Sequence, residues 1–392
     1  MVRCGIDLIC DGAYSSLLKN KKIGLVSGAS AVSSRYLSTI EHMNELYNVS
    51  MLLAPEHGIR GVLGPGEKVS DGVDILSGIK TYSLFEDFVF SCDDEKKKSV
   101  YAPSPRLLEQ IDILVFDMQD VGSRFFTFAS TLFYTMRACA RVNIPVLVLD
   151  RPNPIGGAVE GNICTNEFSS FIGLSGLPIR HGMTIGELAI LFNGEYGFDC
   201  DLTVAELDGW RRDMFYNDTG LPFVKPSPNL PSLDAITVYC GTCMLAGTNV
   251  SEGRGTTTPF TTIGAPYINP VELAKELNRE NFEGLSFSPS FFMPQFSKYK
   301  TKVCYGVDIH VLDRKSVRAV DLGVRLIKKL QRMYPDDFAF NRPESGNRWH
   351  IDLSTGSHEI REGKLNENEI LKNWQTQACE FEKTREKYLI YR

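Results

Sequence analysis

Three short segments of this chain concentrate groups that move protons or grip anions. They read Ala54-Pro55-Glu56-His57-Gly58-Ile59-Arg60, Asp117-Met118-Gln119-Asp120-Val121-Gly122-Ser123-Arg124 and Asp150-Arg151-Pro152-Asn153-Pro154. Carboxylates and imidazoles act as acids and bases beside a reacting bond. Guanidinium groups bind anionic oxygens through paired N–H donors. Two later segments share the texture: Pro178-Ile179-Arg180-His181-Gly182-Met183-Thr184, and Gly247-Thr248-Asn249-Val250-Ser251-Glu252-Gly253-Arg254-Gly255-Thr256-Thr257. Glycines beside Glu252 and Arg254 let backbone approach a ligand closely.

Each of the first three segments follows a short apolar run. Strands are expected at 23–27, 49–54, 111–116 and 145–149. Helices are expected from Ser33 or Ser34 to about 47, and over 124–142. Buried runs alternating with helices imply an α/β fold, a parallel sheet with right-handed crossovers. This is a Rossmann-like N-terminal domain. In such sheets ligands bind beyond the carboxyl ends of the strands, which is where the three segments lie. The turn Ser27-Gly28-Ala29-Ser30-Ala31-Val32-Ser33 lacks the dinucleotide fingerprint, and no phosphate-binding loop occurs elsewhere. No cofactor is expected.

Further along, Thr184-Ile185-Gly186-Glu187 is a capping box opening a helix to about residue 196. A strand is expected at 202–207. Pro and Gly are then dense to 270, with short strands near 235–239. A helix at 270–279, strands at 285–292 and 303–312, a helix at 319–333 and a last helix at 368–388 complete a smaller mixed α/β C-terminal domain. The boundary is placed near 200, giving domains 1–200 and 201–392 with a cleft between them.

The chain has 392 residues, more than one ordinary core accommodates. Hydrophobic residues make up 43% and charged residues 23%, the balance of a globular protein without a bilayer-spanning run. A net charge of -6 removes any bulk attraction for nucleic acid. The run Asp93-Asp94-Glu95-Lys96-Lys97-Lys98 is expected to be a solvated loop. Ten cysteines occur without a disulfide framework. Reduced thiols suit a cytoplasmic setting as the sequence stands, or an exported one if a leader has been removed. Cys240-Gly241-Thr242-Cys243 stands alone, with no second pair at zinc spacing.

Five motifs together resemble the NamZ-type exo-β-N-acetylmuramidases, a family formerly catalogued as a domain of unknown function. They are Pro55-Glu56-His57-Gly58, Phe116-Asp117-Met118-Gln119-Asp120-Val121-Gly122, Leu149-Asp150-Arg151-Pro152-Asn153-Pro154, Arg180-His181-Gly182-Met183-Thr184 and the segment from Gly247 to Thr257. The likeness runs from about Gly5 to Tyr391. It implies a site between the two domains and release of N-acetylmuramic acid from the non-reducing end of peptidoglycan fragments.

Glycosidic cleavage uses a carboxylic acid on the leaving oxygen and a second group for water or the anomeric carbon. Glu56 is the first choice for the acid, since partial burial at a strand end favours its protonated form. Asp120, or less directly Asp117, is the expected second carboxylate. Glu252 is the rival acid or base from the other side of the cleft. A salt bridge from Glu56 to Arg60 is the structural alternative for Glu56. The lactyl carboxylate of the sugar calls for a guanidinium. Arg60, Arg124, Arg151, Arg180 and Arg254 are the candidates, with Arg151 and Arg180 preferred. His57, Asn153, His181 and Asn249 are expected at the ligand or in turns that support it. The loop 61–78, with Gly64-Pro65-Gly66, is either a lid or an ordinary long loop. Competing readings are a metal-dependent hydrolase using His57, Asp117, Asp120 and Asp150, and a non-catalytic sugar-binding protein.

Overall fold

A computed structural model describes residues 1–85, 101–343 and 348–392. The charged run Asp93 to Lys98 lies outside the described residues.

The first sheet has seven strands: β1 (Ile23–Ser27), β2 (Val49–Ala54), β3 (Gly72–Val73), β4 (Lys80–Ser83), β5 (Ile113–Asp117), β6 (Val146–Leu149) and β9 (Leu202–Ala205). Their order is β3-β4-β2-β1-β5-β6-β9. All neighbours run parallel except β3 against β4. The central strands are buried along their full length, which is why they read as continuous apolar runs. Register aligns Val26 with Phe116, and Phe116 with Val148. The loops after β2, β5 and β6 therefore leave from one edge.

β9 is the seventh strand of this sheet although it follows residue 200. The first unit thus extends at least to Ala205, within about ten residues of the expected boundary. Strands β7 (Glu160–Ile163) and β8 (Pro178–Arg180) form a separate antiparallel pair. A second sheet, β10 (Thr262–Ala265), β12 (Cys304–Val311) and β11 (Leu285–Phe292), is antiparallel in the order β10-β12-β11. The C-terminal helix Glu367–Arg385 returns to pack on β7. Beyond it, Tyr391 donates its hydroxyl to Asp150 at 2.7 Å. The two parts are laced together rather than joined by one linker.

Local signals account for several elements. Thr184 accepts from Glu187 N at 3.1 Å, while Glu187 accepts from Thr184 N at 3.0 Å, the expected reciprocal cap. The first crossover helix is Thr39–Leu46, capped by Ser38 rather than Ser33 or Ser34, because residues 31–37 form a turn closed by Ser33 N to Leu37 O at 2.8 Å. The long helix starts at Phe128, four residues later than expected. Residues 235–239, expected as strand, lie in the helix Leu233–Thr242. Ser232 caps it, and every residue from Ala235 to Thr242 is buried. A helix apolar on all sides carries no amphipathic period to betray it. Gly241 lets it touch the helix Ala319–Met333: a Cβ there would lie 1.9 Å from Ala319 O.

Candidate active site

A cavity of about 360 Å3 lies between the exit of β2, the segment before the helix Phe128–Arg141, and the Glu252 loop of the second unit. That volume is within the usual range for small-molecule sites, ~300–1,000 Å3. Phe125, Phe126, Ile172, Leu230, Tyr239 and Phe260 supply its apolar wall. Glu56, His57, Glu252, Arg254, Lys298 and His350 supply its ionisable groups.

Glu56 follows β2 directly and is 6% exposed. One carboxylate oxygen accepts from Gly66 N at 2.8 Å, the other from Thr127 Oγ1 at 2.6 Å. Pro65 and Gly66 line the cavity, so part of the loop 61–78 is its wall. Arg60 fastens that loop. It donates to Asp74 at 2.8 and 2.6 Å and to Glu41 at 2.7 Å, and the guanidinium holds the Asp74 carboxyl well below the usual range. Arg60 is therefore neither a partner of Glu56 nor a ligand group. His57 takes a left-handed backbone, φ 73°, and its Nδ1 is 3.0 Å from Leu63 O. A carbonyl only accepts, so Nδ1 carries the proton.

Glu252 is 2% exposed. Arg254 Nε donates to one oxygen at 2.9 Å and Lys298 Nζ to the other at 3.0 Å. Burial alone would raise its pKa, but the Lys298 and Arg254 charges outweigh burial and hold it at about 2. The two cations beside it favour its carboxylate form over the protonated form that a general acid needs. Lys298 also donates to Leu245 O at 2.7 Å and Val250 O at 2.9 Å, and burial lowers its own pKa. The terminal nitrogens of Arg254 have no protein partner among the described residues. Gly253 and Gly255 bracket it at φ 77° and 84°, and a Cβ at either would lie 2.4 Å from a carbonyl oxygen. Burial, then the neighbouring Lys298 charge, lowers His350 to about 4. Phe260 and Ser297, both lining the cavity, share the left-handed backbone of His57. Such conformations in bulky residues cluster at functional sites.

The other expected site residues lie outside this cavity. Asp117 is buried against Arg151, whose Nη2 donates to it at 2.9 Å. Thr39 Oγ1 also donates to Asp117, at 2.6 Å, and Arg151 Nη1 donates to Val32 O at 2.9 Å. Asp120 accepts from Gly122 N at 2.7 Å and faces His181 Nε2 at 3.2 Å. The expected second carboxylate is thus buried away from the cavity. His181 Nδ1 accepts from Met183 N at 3.2 Å. Arg180 is paired with Glu160 and also donates to Ile155 O. Arg124 donates to Asn162 O at 2.9 Å, Leu177 O at 2.7 Å and Ser354 O at 3.0 Å, tying β7 and β8 to a wall of the cavity. Asn153 bridges Met183 O and Ile155 N. Asn249 bonds Asp337 O, Ala339 N and Tyr267. Arg151 and Arg180, the preferred lactyl ligands, each engage a carboxylate inside the fold and are not on the wall of this cavity.

The ligand set of the metal-hydrolase alternative is also divided. His57 is in the cavity, Asp117 is on Arg151, Asp120 is on His181, and Asp150 accepts from Tyr391, Thr184 and Gly186. Cys240 and Cys243 are buried, and burial pushes their thiols up to about 12 and about 11, far from the thiolate that metal or redox chemistry needs.

Sequence reasoning missed Thr127, Tyr239, Phe260, Lys298 and His350, along with Ser227 and Asn229 on the cavity wall. Thr127 lies three residues beyond the Asp117–Arg124 segment and was within reach of the motif. Lys298 and His350 stand alone in their segments, and only tertiary contact marks them.

Carboxylates facing an aromatic-lined, sugar-sized hollow between a parallel sheet and a second unit define a glycoside-hydrolase type of site. Residues 23–234 match the family described as exo-beta-N-acetylmuramidase NamZ, N-terminal, and residues 237–391 match its C-terminal counterpart. The chain belongs to this NamZ exo-β-N-acetylmuramidase family. It is 42% identical over 398 residues to the peptidoglycan beta-N-acetylmuramidase NamZ of Bacillus subtilis (strain 168), covering all of this chain and 91% of that protein. Two crystal structures of DUF1343 family proteins from Bacteroides fragilis NCTC 9343 are similar throughout. One has a TM-score of 0.88 at 32% identity, the other 0.75 at 29%, each covering all of this chain and 99% of its own.

Proposed function

We infer that this chain is an exo-acting peptidoglycan β-N-acetylmuramidase, removing N-acetylmuramic acid from the non-reducing end of cell-wall fragments. Family membership and the Bacillus relative support the activity. The observation that carries the residue assignment is the meeting of Glu56 with the Glu252–Arg254–Lys298 cluster around one cavity.

Within it, Glu56 is the proton carrier for the leaving glycosidic oxygen, its carboxyl plane fixed by Gly66 N–H and Thr127 Oγ1. Glu252 is the fixed anion. A carboxylate held at about 2 is a weak base, so it acts as the anchor that aims Arg254 and Lys298. Arg254 is the one expected arginine on the cavity wall, and its unengaged nitrogens suit the lactyl carboxylate.

The test is release of an aryl leaving group from a β-N-acetylmuramide and from the matching N-acetylglucosaminide. Turnover of the first and neglect of the second is expected. A folded enzyme inert on the first would overturn the reading.

A further inference from the structure

A second hollow, about 410 Å3, lies between residues 256–262 and strands β11 and β12. Among the described residues, no lysine or arginine lines it. Thr256, Thr258, Thr262, Asp308 and His310 supply hydroxyl, carboxylate and imidazole groups, and Phe291 supplies a ring. Thr258 and Thr262 hydroxyls meet at 2.8 Å, and Thr262 donates onward to Asp308. His310 Nε2 meets Ser288 Oγ at 2.8 Å. Phe291 is 66% exposed, with Tyr305 edge-on to it at 5.7 Å and 87°. An exposed ring above organised hydroxyl and carboxylate groups matches a pyranose, which has an apolar C–H face and a polar rim.

Covalent geometry places this groove beside the cavity. Arg254 lines the cavity and Thr256 lines the groove. Two residues apart, their Cα atoms are within about 7 Å. The opposite wall repeats the link. Phe291 lines the groove and Ser297 and Lys298 line the cavity, while between them Gln295 N donates to Gly255 O at 2.8 Å. Met293 and Phe296 on that connecting segment are 48% and 47% exposed.

We propose that this groove is a saccharide subsite for the sugars that follow the cleaved bond, with Phe291 as its stacking platform. The proposal rests on the muramidase reading and extends it. A stem peptide is the less suitable occupant, because its carboxylates would meet Asp308 with no cation in the groove to receive them.

The test compares kcat/KM of the full chain and Phe291→Ala on two substrates. One is the disaccharide N-acetylmuramyl-β-1,4-N-acetylglucosamine. The other is β-N-acetylmuramyl fluoride, whose single-atom leaving group cannot reach the groove. The variant should lose about tenfold on the disaccharide and stay within about twofold on the fluoride. Equal losses on both, or no loss on either, would overturn the subsite. So would a loss confined to peptide-bearing substrates, which would assign the groove to peptide. Wild-type enzyme inert on both substrates would instead sink the muramidase reading, and the subsite with it.

Discussion

Two neighbouring exits of the same sheet carry similar side chains and have opposite fates. After β5 and β6, Asp117 is buried against Arg151, Asp120 against His181, and Asp150 under the hydroxyls of Tyr391 and Thr184. After β2, Glu56 and His57 open onto a cavity. The crevice that open parallel sheets normally offer to ligand lies between β1 and β5, where strand order reverses. Here Arg151 fills it, bridging Asp117 and Val32 O. The chemistry is displaced sideways to β2, where the second unit closes over it. A loop dense in charge is therefore not yet a site. What separates the two regions is whether each group borders the cavity, as Glu56 and His57 do, or is enclosed by other parts of the fold, as Asp117 and Arg151 are.

That contrast predicts which substitutions break catalysis and which break the fold. The largest effect is expected at Glu56. Glu56→Gln should keep the thermal unfolding midpoint and lower kcat by about 10²–10⁴-fold, as read by aryl muramide turnover. Unchanged turnover would move the acid role elsewhere. Asp117→Ala should do the reverse. Arg151 would be left buried and unpaired, costing roughly 3–5 kcal/mol of stability in denaturant titration, and the folded fraction should keep its specific activity. A stable but inactive Asp117→Ala would erase the distinction drawn between the exits.

Smaller effects sharpen it. Arg254→Gln should raise KM for the muramide about 10–100-fold and narrow the preference over the N-acetylglucosaminide. Equal losses on both sugars would remove Arg254 from lactyl recognition. Thr127→Val should cost a few-fold to about tenfold in kcat rather than KM, with Thr127→Ser restoring it. Failure of serine to rescue would make Thr127 a packing residue only.

The smallest effect is in pH dependence. His350 has a folded pKa of about 4 against an ordinary 6.5. Between these values the unfolded chain binds a proton that the folded site refuses. Its contribution is thus present above 6.5 and lost as pH falls toward 4. Glu252, held at about 2 against 4.5, adds a second loss below 4.5. His350→Asn should flatten the unfolding midpoint between pH 6.5 and 4 and leave the lower limb. An unchanged profile would show that His350 is not the group titrating there.

Much of this was legible in the sequence, and for identifiable reasons. Continuous apolar runs give buried parallel strands because both faces are covered. The Thr184–Glu187 box gives a helix start because its bonds are local. Glu56, Glu252 and Arg254 were legible because each sits in a short motif bounded by glycine or proline. Residues 235–239 misled because a helix buried on all sides has no period to read. By itself, the sequence determined the central parallel strands, the sheet edge and the family. Tertiary structure alone decided which charges are neutralised internally, since pairs such as Asp117–Arg151 and Glu252–Lys298 join residues 34 and 46 positions apart. Local spacing carries no record of a bond that forms only when distant loops meet.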